Sequence, residues 1–251
     1  MTAQIPTVLI VTFERLSATQ RCLESLFAHT PQPMNLVVVD NASRPEVRRF
    51  LQDQPGVKIF LDHNLGLYKA LNLGMRLIDQ EFVAFLDCDI VVTPGWWQAL
   101  ATEVSKDPVY GLAGSRYLNP DGTLQEGFPV LSRNGWYGEN SEDRRESADC
   151  QYIAIGCSVF RRSAWQAVGG FDENYFISHG DIDFCYRIRY KANMRVRYCP
   201  GSAVIHDHEY GKEQHYEKIR FDHATCNNDH ERFRTLWQES YSHEPLPVRN
   251  S

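Results

Sequence analysis

The sequence has no long hydrophobic run and nothing that resembles a membrane anchor. Its longest apolar stretches, such as those at 82–86 and 90–92, are far shorter than the roughly 20 residues that a membrane-spanning helix needs. The N-terminus lacks the basic region, apolar stretch and small-residue cleavage site of a signal peptide. These absences predict a cytoplasmic protein without a transmembrane segment, and they leave peripheral contact with a membrane open.

Cysteine is present, but its spacing is not that of a metal or redox site. The seven cysteines are an odd number, and no two of them form a C-x-x-C pair. We therefore expect reduced thiols rather than a disulfide framework or a zinc site. The formal net charge of −6 likewise gives no general attraction to nucleic acid or to anionic lipid.

What the sequence does contain is an alternation of strand-like and helix-like patterns in its first half. β-rich runs at 7–12, 36–40, 57–61 and 82–86 alternate with apolar residues at helical spacing, including those at 67–78. Alternation of this kind predicts an α/β fold with a mostly parallel central sheet and helices on both faces.

The second half of the chain is less regular. A turn signal at 119–122 predicts a hairpin or long loop over 117–133, and the polar, aperiodic segment 134–149 is predicted to be a mobile loop. Further strands are predicted at 153–160, 196–199 and 203–205, and further helices at 181–190 and from 213 onward. We expect one domain at 1–212, with a nucleotide-binding half at about 1–114 and an acceptor half at about 115–212, followed by a C-terminal helical extension and tail at 213–251.

Polar clusters follow three of the predicted strands. They lie at 12–15, 40–43 and 87–89. In a parallel sheet with helices on both faces, ligands bind at the carboxyl ends of the strands. The three clusters therefore predict a binding site at one edge of the sheet.

Two of these positions, with two later histidines, have the chemistry of a metal site. Asp87 and Asp89 end a buried strand, where two carboxylates are costly unless a positive charge neutralises them. A divalent cation would do so, and carboxylates together with His206 or His208 would suit Mn²⁺. The simpler interpretation is that the aspartates cap a loop and the histidines lie on the surface.

Asp181 and Asp183 stand at the start of the predicted helix at 181–190. Acids at this position cap backbone N–H groups and interact favourably with the helix dipole, which is the simpler interpretation. The alternative is that one of them is a general base for an acceptor hydroxyl.

Eight segments occur in the order in which glycosyltransferase family 2 carries similar motifs. They are VLIVTFER at 8–15, VVVDNAS at 37–43, NLGLYKALNLG at 64–74, FLDCD at 85–89, GCSVFRRS at 156–163, VGGFDE at 168–173, DIDFCYR at 181–187 and PGSAVIH at 200–206. Over roughly residues 6–210 the sequence therefore resembles this family of inverting enzymes with the GT-A fold, including its rhamnosyltransferase-like members. The resemblance implies a nucleoside-diphosphate sugar as donor and Mn²⁺ or Mg²⁺ as cofactor.

The resemblance also implies a set of donor-binding residues. They are Thr12, Phe13, Glu14, Arg15, Asp40, Asn64, Lys69, Asp87 and Cys88. Asp40 would accept a hydrogen bond from the base, which favours uracil or thymine because both present an N3–H donor. Asn64 and Lys69 would contact the nucleotide or its phosphates, and Asp87 the ribose, the donor sugar or the metal.

For the chemistry itself, the resemblance implies that Asp89 and His206 bind the metal, with His208 as the fallback ligand. The metal would neutralise the charge that develops on the departing diphosphate. Asp181 aligns with the general base of the family. It would take the proton of an acceptor hydroxyl while that oxygen attacks the anomeric carbon from the opposite face, which inverts the anomeric centre.

The acceptor side is less defined. The candidate acceptor contacts are Trp136, Tyr137, His179 and Asp183. Aromatic rings such as Trp136 stack on sugar faces. The family usually has Glu before the base, where this chain has Gly180, so His179 is a candidate substitute. Glu14 replaces the usual Asn and adds a negative charge near the donor.

Several alternatives stay open on the sequence alone. The predicted acceptor is a glycan, with a protein or a modified nucleobase as the alternative. A nucleotidyltransferase also uses acidic metal ligands, but it needs a glycine-rich basic loop after the first strand, and 12–16 is not one. A non-catalytic domain that binds nucleotide sugars is a further alternative, and the sequence does not indicate the oligomeric state.

Overall fold

A computed structural model describes residues 5–132, 134–135, 140–208 and 211–243 of the chain. The first half of this described part contains five strands and four helices in alternation. The strands are β1 Thr7–Thr12, β2 Asn35–Asp40, β3 Val57–Phe60, β4 Phe82–Asp87 and β5 Ile90–Val91. The helices are α1 Leu16–His29, α2 Pro45–Gln52, α3 Leu67–Met75 and α4 Trp96–Ser105.

The second half begins with a long strand that the sequence patterns did not indicate, β6 Tyr110–Leu118. The strands that follow are β7 Leu124–Glu126, β8 Phe128–Val130, β9 Asn140–Glu142, β10 Ala148–Cys150, β11 Cys157–Arg161 and β12 Arg195–His206. The helices are α5 Arg162–Ala167, α6 Gly180–Tyr190, α7 Gln214–Arg220 and α8 His223–His243.

Two expectations for this half need correction. The segment 134–149 was expected to be a mobile loop, yet it contains β9 and β10, which pair with β8 and β12. The two short strands expected at 196–199 and 203–205 are one irregular strand, β12, whose register shifts between Tyr198 and Ala203. The partners of β10 and β12 are distant in sequence, so local patterns do not indicate these pairings.

The central sheet has the order β10-β12-β6-β11-β4-β1-β2-β3 among the described strands. The four strands β4, β1, β2 and β3 are parallel, as expected for the nucleotide-binding half. Beyond them the sheet is mixed, because β11 runs antiparallel to both β4 and β6, while β6 and β12 are parallel to each other. The predicted α/β class is confirmed.

Each face of this sheet carries its own apolar cluster, because successive side chains of a strand point to opposite faces. Val8 and Ile10 of β1 pack with residues of α1, α2 and α4. Leu9 and Val11 belong to the cluster on the other face, with residues of α3, α5 and α6. Phe233 of α8 joins that second cluster, so the long C-terminal helix packs on the same core.

The strand register determines where polar side chains meet. Thr12 pairs with Asp40, and Val11 pairs with Asp87, so β1, β2 and β4 end at the same edge. His206, at the end of β12, pairs with Ile90 of β5. This pairing brings the last residues of β12 to the segment that directly follows β4.

Candidate active site

A cavity of about 490 Å³ opens at the edge where β1 and β4 end. This volume is typical of a site for a small ligand. Many of the residues that the sequence singled out line it, namely Phe13, Asn64, Asp87, Cys88, Asp89, Asp181, His206 and His208.

Two imidazoles converge on one oxygen of Asp89. Nε2 of His206 lies 3.3 Å from Oδ2 of Asp89, and Nδ1 of His208 lies 3.2 Å from the same atom. The centroids of the two imidazole rings are 3.8 Å apart. The sequence left open which histidine belongs to the metal site, and the structure brings both to Asp89.

These three residues fit a divalent cation. Their ligand atoms lie within 4.8 Å of one another, and one carboxylate oxygen with two imidazole nitrogens suits Mn²⁺ better than Mg²⁺, which prefers oxygen. Gln125 orients His206 through two hydrogen bonds. Nδ1 of His206 donates to Oε1 of Gln125 at 2.7 Å, and Nε2 of Gln125 donates to the carbonyl of His206 at 3.0 Å. This contact leaves Nε2 of His206 directed at Asp89. Hydrogen bonds to a histidine that binds a metal typically orient its ring in this way.

Asp87 and Asp89 differ in their electrostatics. Burial opposes the ionisation of Asp89, but the neighbouring His206, His208 and Arg15 hold the pKa of that carboxyl well below its usual range. Burial and the charge on Asp89 raise the pKa of Asp87 to about 7. The cationic partners lie on Asp89, so this residue carries the stronger negative charge of the pair.

Arg15 reaches this cluster from the turn between β1 and α1. Glu14 and Arg15 have φ angles of 61° and 42°, in the left-handed region that non-glycine residues rarely adopt. This backbone conformation accompanies an ion pair between the buried guanidinium and Oδ2 of Asp89, at 2.9 Å. Backbone strain of this kind is common at functional sites.

Asp181 lies in the first turn of α6 and faces the same cavity. Its Oδ1 accepts a hydrogen bond from the N–H of Ile182 at 2.9 Å, and its own N–H donates to the hydroxyl of Tyr68 at 3.1 Å. Burial raises the pKa of Asp181 to about 6, although the neighbouring N–H groups act in the opposite direction. A carboxyl with this pKa can accept a proton near neutral pH.

The expected nucleotide contacts divide into two groups. Phe13 and Asn64 line the cavity, and Oδ1 of Asn64 is held there by the amide of Asn41 at 2.9 Å. Arg15 is almost fully buried and does not line the cavity, and the same holds for three further candidates at the sheet edge, namely Thr12, Glu14 and Asp40.

The polar atoms of these three buried residues contact the protein itself. Thr12 Oγ1 lies 3.0 Å from Thr19 Oγ1, and Glu14 accepts the N–H of Arg44 at 3.1 Å. Asp40 is 3.0 Å from the guanidinium of Arg48. These three side chains therefore lie behind the wall of the cavity.

Three other candidates also do not line the cavity. Lys69 is exposed on α3. His179 is fully buried beside His230 and Phe233 of α8, and burial lowers its pKa to about 3. Asp183 is buried, 2.6 Å from Arg187 and 2.8 Å from Nε1 of Trp237, so its contacts are those of a structural ion pair.

The predicted aromatic acceptor contacts, Trp136 and Tyr137, lie outside the described residues. Other residues of the cavity wall were not identified from sequence, namely Tyr68, Tyr117, Gln125, Glu126, Tyr216, Ile219 and Arg220. Burial and the charge of Asp181 raise the pKa of Glu126 to about 7. The turn at 119–122 was visible in the sequence, but nothing local indicates that it returns Gln125 and Glu126 to His206.

The sequence model described as "Glycosyl transferase family 2" matches residues 7–169, more than half of the chain. The chain belongs to glycosyl transferase family 2. The family resemblance that the sequence motifs indicated is therefore confirmed.

Two curated relatives come from Mycobacterium tuberculosis. A pre-mycofactocin glycosyltransferase is 30% identical over 211 residues, which are 80% of this chain and 42% of that protein. An N-acetylglucosaminyl-diphospho-decaprenol L-rhamnosyltransferase is 27% identical over 246 residues, covering 85% of this chain and 80% of that protein. The chain thus spans less than half the length of the first relative and most of the second.

Solved structures with this fold include two glycosyltransferases with bound Mn²⁺. GalNAc-T7 with UDP, GalNAc and Mn²⁺ superposes with a TM-score of 0.73 at 16% identity, over 96% of this chain and 49% of that one. The mannosyltransferase PcManGT from Pyrobaculum calidifontis, with GDP-Man and Mn²⁺, gives 0.62 at 17% identity, over 96% and 73%. The predicted GT-A fold is confirmed. None of the described helices is both long enough and apolar enough to cross a membrane.

Proposed function

We propose that this protein transfers a sugar from a nucleoside-diphosphate sugar to an acceptor hydroxyl, with a divalent cation and with inversion at the anomeric carbon. The observation that carries the proposal is that one cavity contains both the Asp89, His206 and His208 group and the carboxyl of Asp181. A cation-binding group and a buried carboxyl with a raised pKa are the two elements that this reaction needs.

Asp89, His206 and His208 would hold the cation, and Mn²⁺ suits them better than Mg²⁺ because two of the three ligands are nitrogens. Asp87 would contact the donor or the cation from the same wall of the cavity. When bound, the cation would stabilise the negative charge that develops on the leaving diphosphate.

Asp181 would act as the general base. Its carboxylate would take the proton of the acceptor hydroxyl as that oxygen forms a bond to the anomeric carbon. The bond from the anomeric carbon to the diphosphate oxygen would break on the opposite side, and the nucleoside diphosphate would leave with that electron pair. The anomeric configuration would therefore be inverted.

The donor is proposed to be a UDP- or TDP-linked sugar. The family resemblance of the segment around Asp40 supports a pyrimidine base, and GalNAc-T7 was solved with UDP. PcManGT was solved with GDP-Man, so the same fold also accepts a purine nucleotide. The carboxylate of Asp40 pairs with Arg48 inside the protein, so the preference for a pyrimidine base needs a direct test.

The acceptor is proposed to be a hydroxyl of a glycan, including one that is linked to a lipid. The name of the rhamnosyltransferase relative, which covers most of this chain, describes a sugar attached to diphospho-decaprenol. A protein or a modified nucleobase is the alternative acceptor class.

The test is a panel of UDP, TDP, GDP, CDP and ADP, measured by thermal shift with Mn²⁺ or with EDTA. A ligand at about 100 times its dissociation constant adds roughly 2.7 kcal/mol to the free energy of unfolding. We expect a shift with UDP or TDP that requires Mn²⁺ and disappears in Asp89→Ala. Release of nucleoside diphosphate from the matching sugar donors then tests turnover, and binding without any turnover would favour a non-catalytic nucleotide-sugar-binding domain.

A further inference from the structure

The guanidinium of Arg15 occupies a position that matters for cation binding. Its Nη1 lies 2.9 Å from Oδ2 of Asp89, the same oxygen that His206 approaches at 3.3 Å and His208 at 3.2 Å. Three nitrogen donors thus surround one carboxylate oxygen. A divalent cation such as Mg²⁺ needs a ligand oxygen at roughly 2.1 Å, so the guanidinium and the cation compete for this atom.

The position of Arg15 is held by several contacts. Its Nη2 donates to the carbonyl of Asp207 at 3.3 Å and also to the carbonyl of His208. The ring of Tyr216 from α7 lies 4.6 Å from the guanidinium carbon, a cation–π contact. Arg15 is 2% exposed and Asp89 is 6% exposed, so the ion pair is shielded from water.

We propose, on the basis of the function proposed above, that the guanidinium of Arg15 neutralises Asp89 until a metal binds. The metal then displaces Arg15 from Asp89, and Arg15 binds the diphosphate of the donor. One observation and one chemical property support the second half of this proposal. Arg15 does not itself line the cavity, but its guanidinium contacts Asp89, His208 and Tyr216, which do. A guanidinium presents parallel N–H groups that match a phosphate, and it stays charged when buried.

This arrangement predicts that metal and donor bind together. Without a nucleoside diphosphate, Arg15 satisfies the charge of Asp89, and Mn²⁺ must compete with it. With the diphosphate present, Arg15 has an alternative partner, and Asp89 becomes available to the cation. Coupling between two ligands is reciprocal and typically changes affinity by about 5- to 150-fold.

The experiment measures the affinity of the full chain for Mn²⁺ by electron paramagnetic resonance of the free ion, first alone and then with saturating UDP. We expect Arg15→Gln to bind Mn²⁺ on the order of tenfold more tightly than the wild type when UDP is absent. We also expect UDP to strengthen Mn²⁺ binding less in this variant than in the wild type.

Two variants separate competition at Asp89 from a general effect of charge. Arg15→Lys keeps a cation that can pair with Asp89 and is expected to stay close to the wild type. Arg21→Gln removes a positive charge that pairs with Asp207 at 3.2 Å instead of with Asp89, and it is expected to change the affinity by less than about twofold.

A second pair of variants tests the same point if Arg15→Gln does not fold. Tyr216→Ala removes the ring that holds the guanidinium in place and is expected to raise the affinity for Mn²⁺, whereas Tyr216→Phe keeps the ring, loses only the hydroxyl that hydrogen-bonds Arg15, and is expected to raise it less. Equal Mn²⁺ affinities for the wild type, Arg15→Gln and Tyr216→Ala would overturn this inference and leave the proposed function standing. No Mn²⁺ binding by any of them, even with nucleoside diphosphates of the whole panel, would overturn both.

Discussion

The two walls of the cavity are built in different ways. On one side, Asp87 is the last residue of a parallel strand and Asp89 lies two residues further on, so two carboxyl groups lie close together in the sequence as well as in the cavity wall. On the other side, Tyr216 and Arg220 come from α7, and the helix α8 contacts the segment that leads to Asp181. The comparison shows that the strand ends supply most of the candidate site residues, whereas the C-terminal helices close the cavity around them.

The contact between α8 and the segment before Asp181 is specific. The buried carboxylate of Asp229 accepts hydrogen bonds from the N–H groups of Phe176, Ile177 and Ser178, at 2.9 to 3.0 Å. These residues directly precede the first turn of α6, where Asp181 lies. The C-terminal helices are therefore part of the site, although they follow the last residue of the family match at 169.

The largest effect is expected from Asp181→Asn. If Asp181 is the general base, this change should lower the rate of transfer by about 10²- to 10⁴-fold, because a positioned base contributes that much. The affinity for nucleoside diphosphate with Mn²⁺ should stay unchanged. Steady-state kinetics and a binding titration of the same preparation measure both quantities.

Asp183→Asn is the matched control, because this acid lies two residues further along the same helix but pairs with Arg187 inside the protein. Breaking a buried ion pair costs about 3 to 5 kcal/mol, so this variant should lose stability in urea denaturation. Its folded fraction should retain most of its turnover. A larger loss of turnover in Asp183→Asn than in Asp181→Asn would reverse the two assignments.

The next largest effect is expected from pH. Burial raises the pKa of Asp181 to about 6, and a base works only when it is ionised. The value of kcat/KM for the acceptor should therefore be constant above this pH and should fall about tenfold for each pH unit below it. A profile that stays flat down to pH 4.5, with the protein folded by circular dichroism, would exclude Asp181 as the base.

A moderate effect is expected from Asp229→Ala on α8. Loss of the hydrogen bonds to a charged acceptor should lower the free energy of unfolding by about 3 kcal/mol. Turnover should fall as well, because the segment before Asp181 loses its support, whereas the affinity for the nucleotide should not change. Glu231→Gln changes an exposed acid of the same helix and should alter stability by less than about 0.5 kcal/mol. Equal behaviour of the two variants would mean that α8 does not position the base.

The smallest effect is expected from Lys69→Ala. The family resemblance predicts a phosphate contact for this residue, but its side chain is exposed on α3 and does not line the cavity. We therefore expect the affinity for nucleoside diphosphate to change by less than about twofold. A tenfold loss, measured by titration with Mn²⁺ present, would return Lys69 to the donor site and would require α3 to move.

Much of the strand-end wall was predictable from sequence. The strand Thr7–Thr12 was predicted with the bounds that the structure shows, and the parallel arrangement of the first strands followed from their alternation with helices. The combination of carboxyl and imidazole groups around Asp89 was predicted from the sequence as a candidate metal site. Sequence left open whether His206 or His208 lies beside Asp89, and the structure brings both rings to one oxygen of this residue.

Two candidate acceptor contacts lie away from the cavity for a common reason. His179 and Asp183 were considered because they flank Asp181 in sequence, but the first helical turn directs residues one or two positions apart to different sides. His179 adopts a φ of 57° and turns toward α8, and Asp183 turns toward Trp237. Position beside a motif therefore did not indicate position in the cavity.

The sequence by itself determined the α/β class, the family, and the residues that follow the parallel strands, because strand periodicity and strand-end motifs are local properties of the chain. Only the tertiary structure decided which groups face the cavity, that Arg15 pairs with Asp89, and that α7 and α8 complete the site. These features depend on contacts between residues far apart in sequence, whose formation is governed by packing and charge neutralisation in the folded protein rather than by any local pattern.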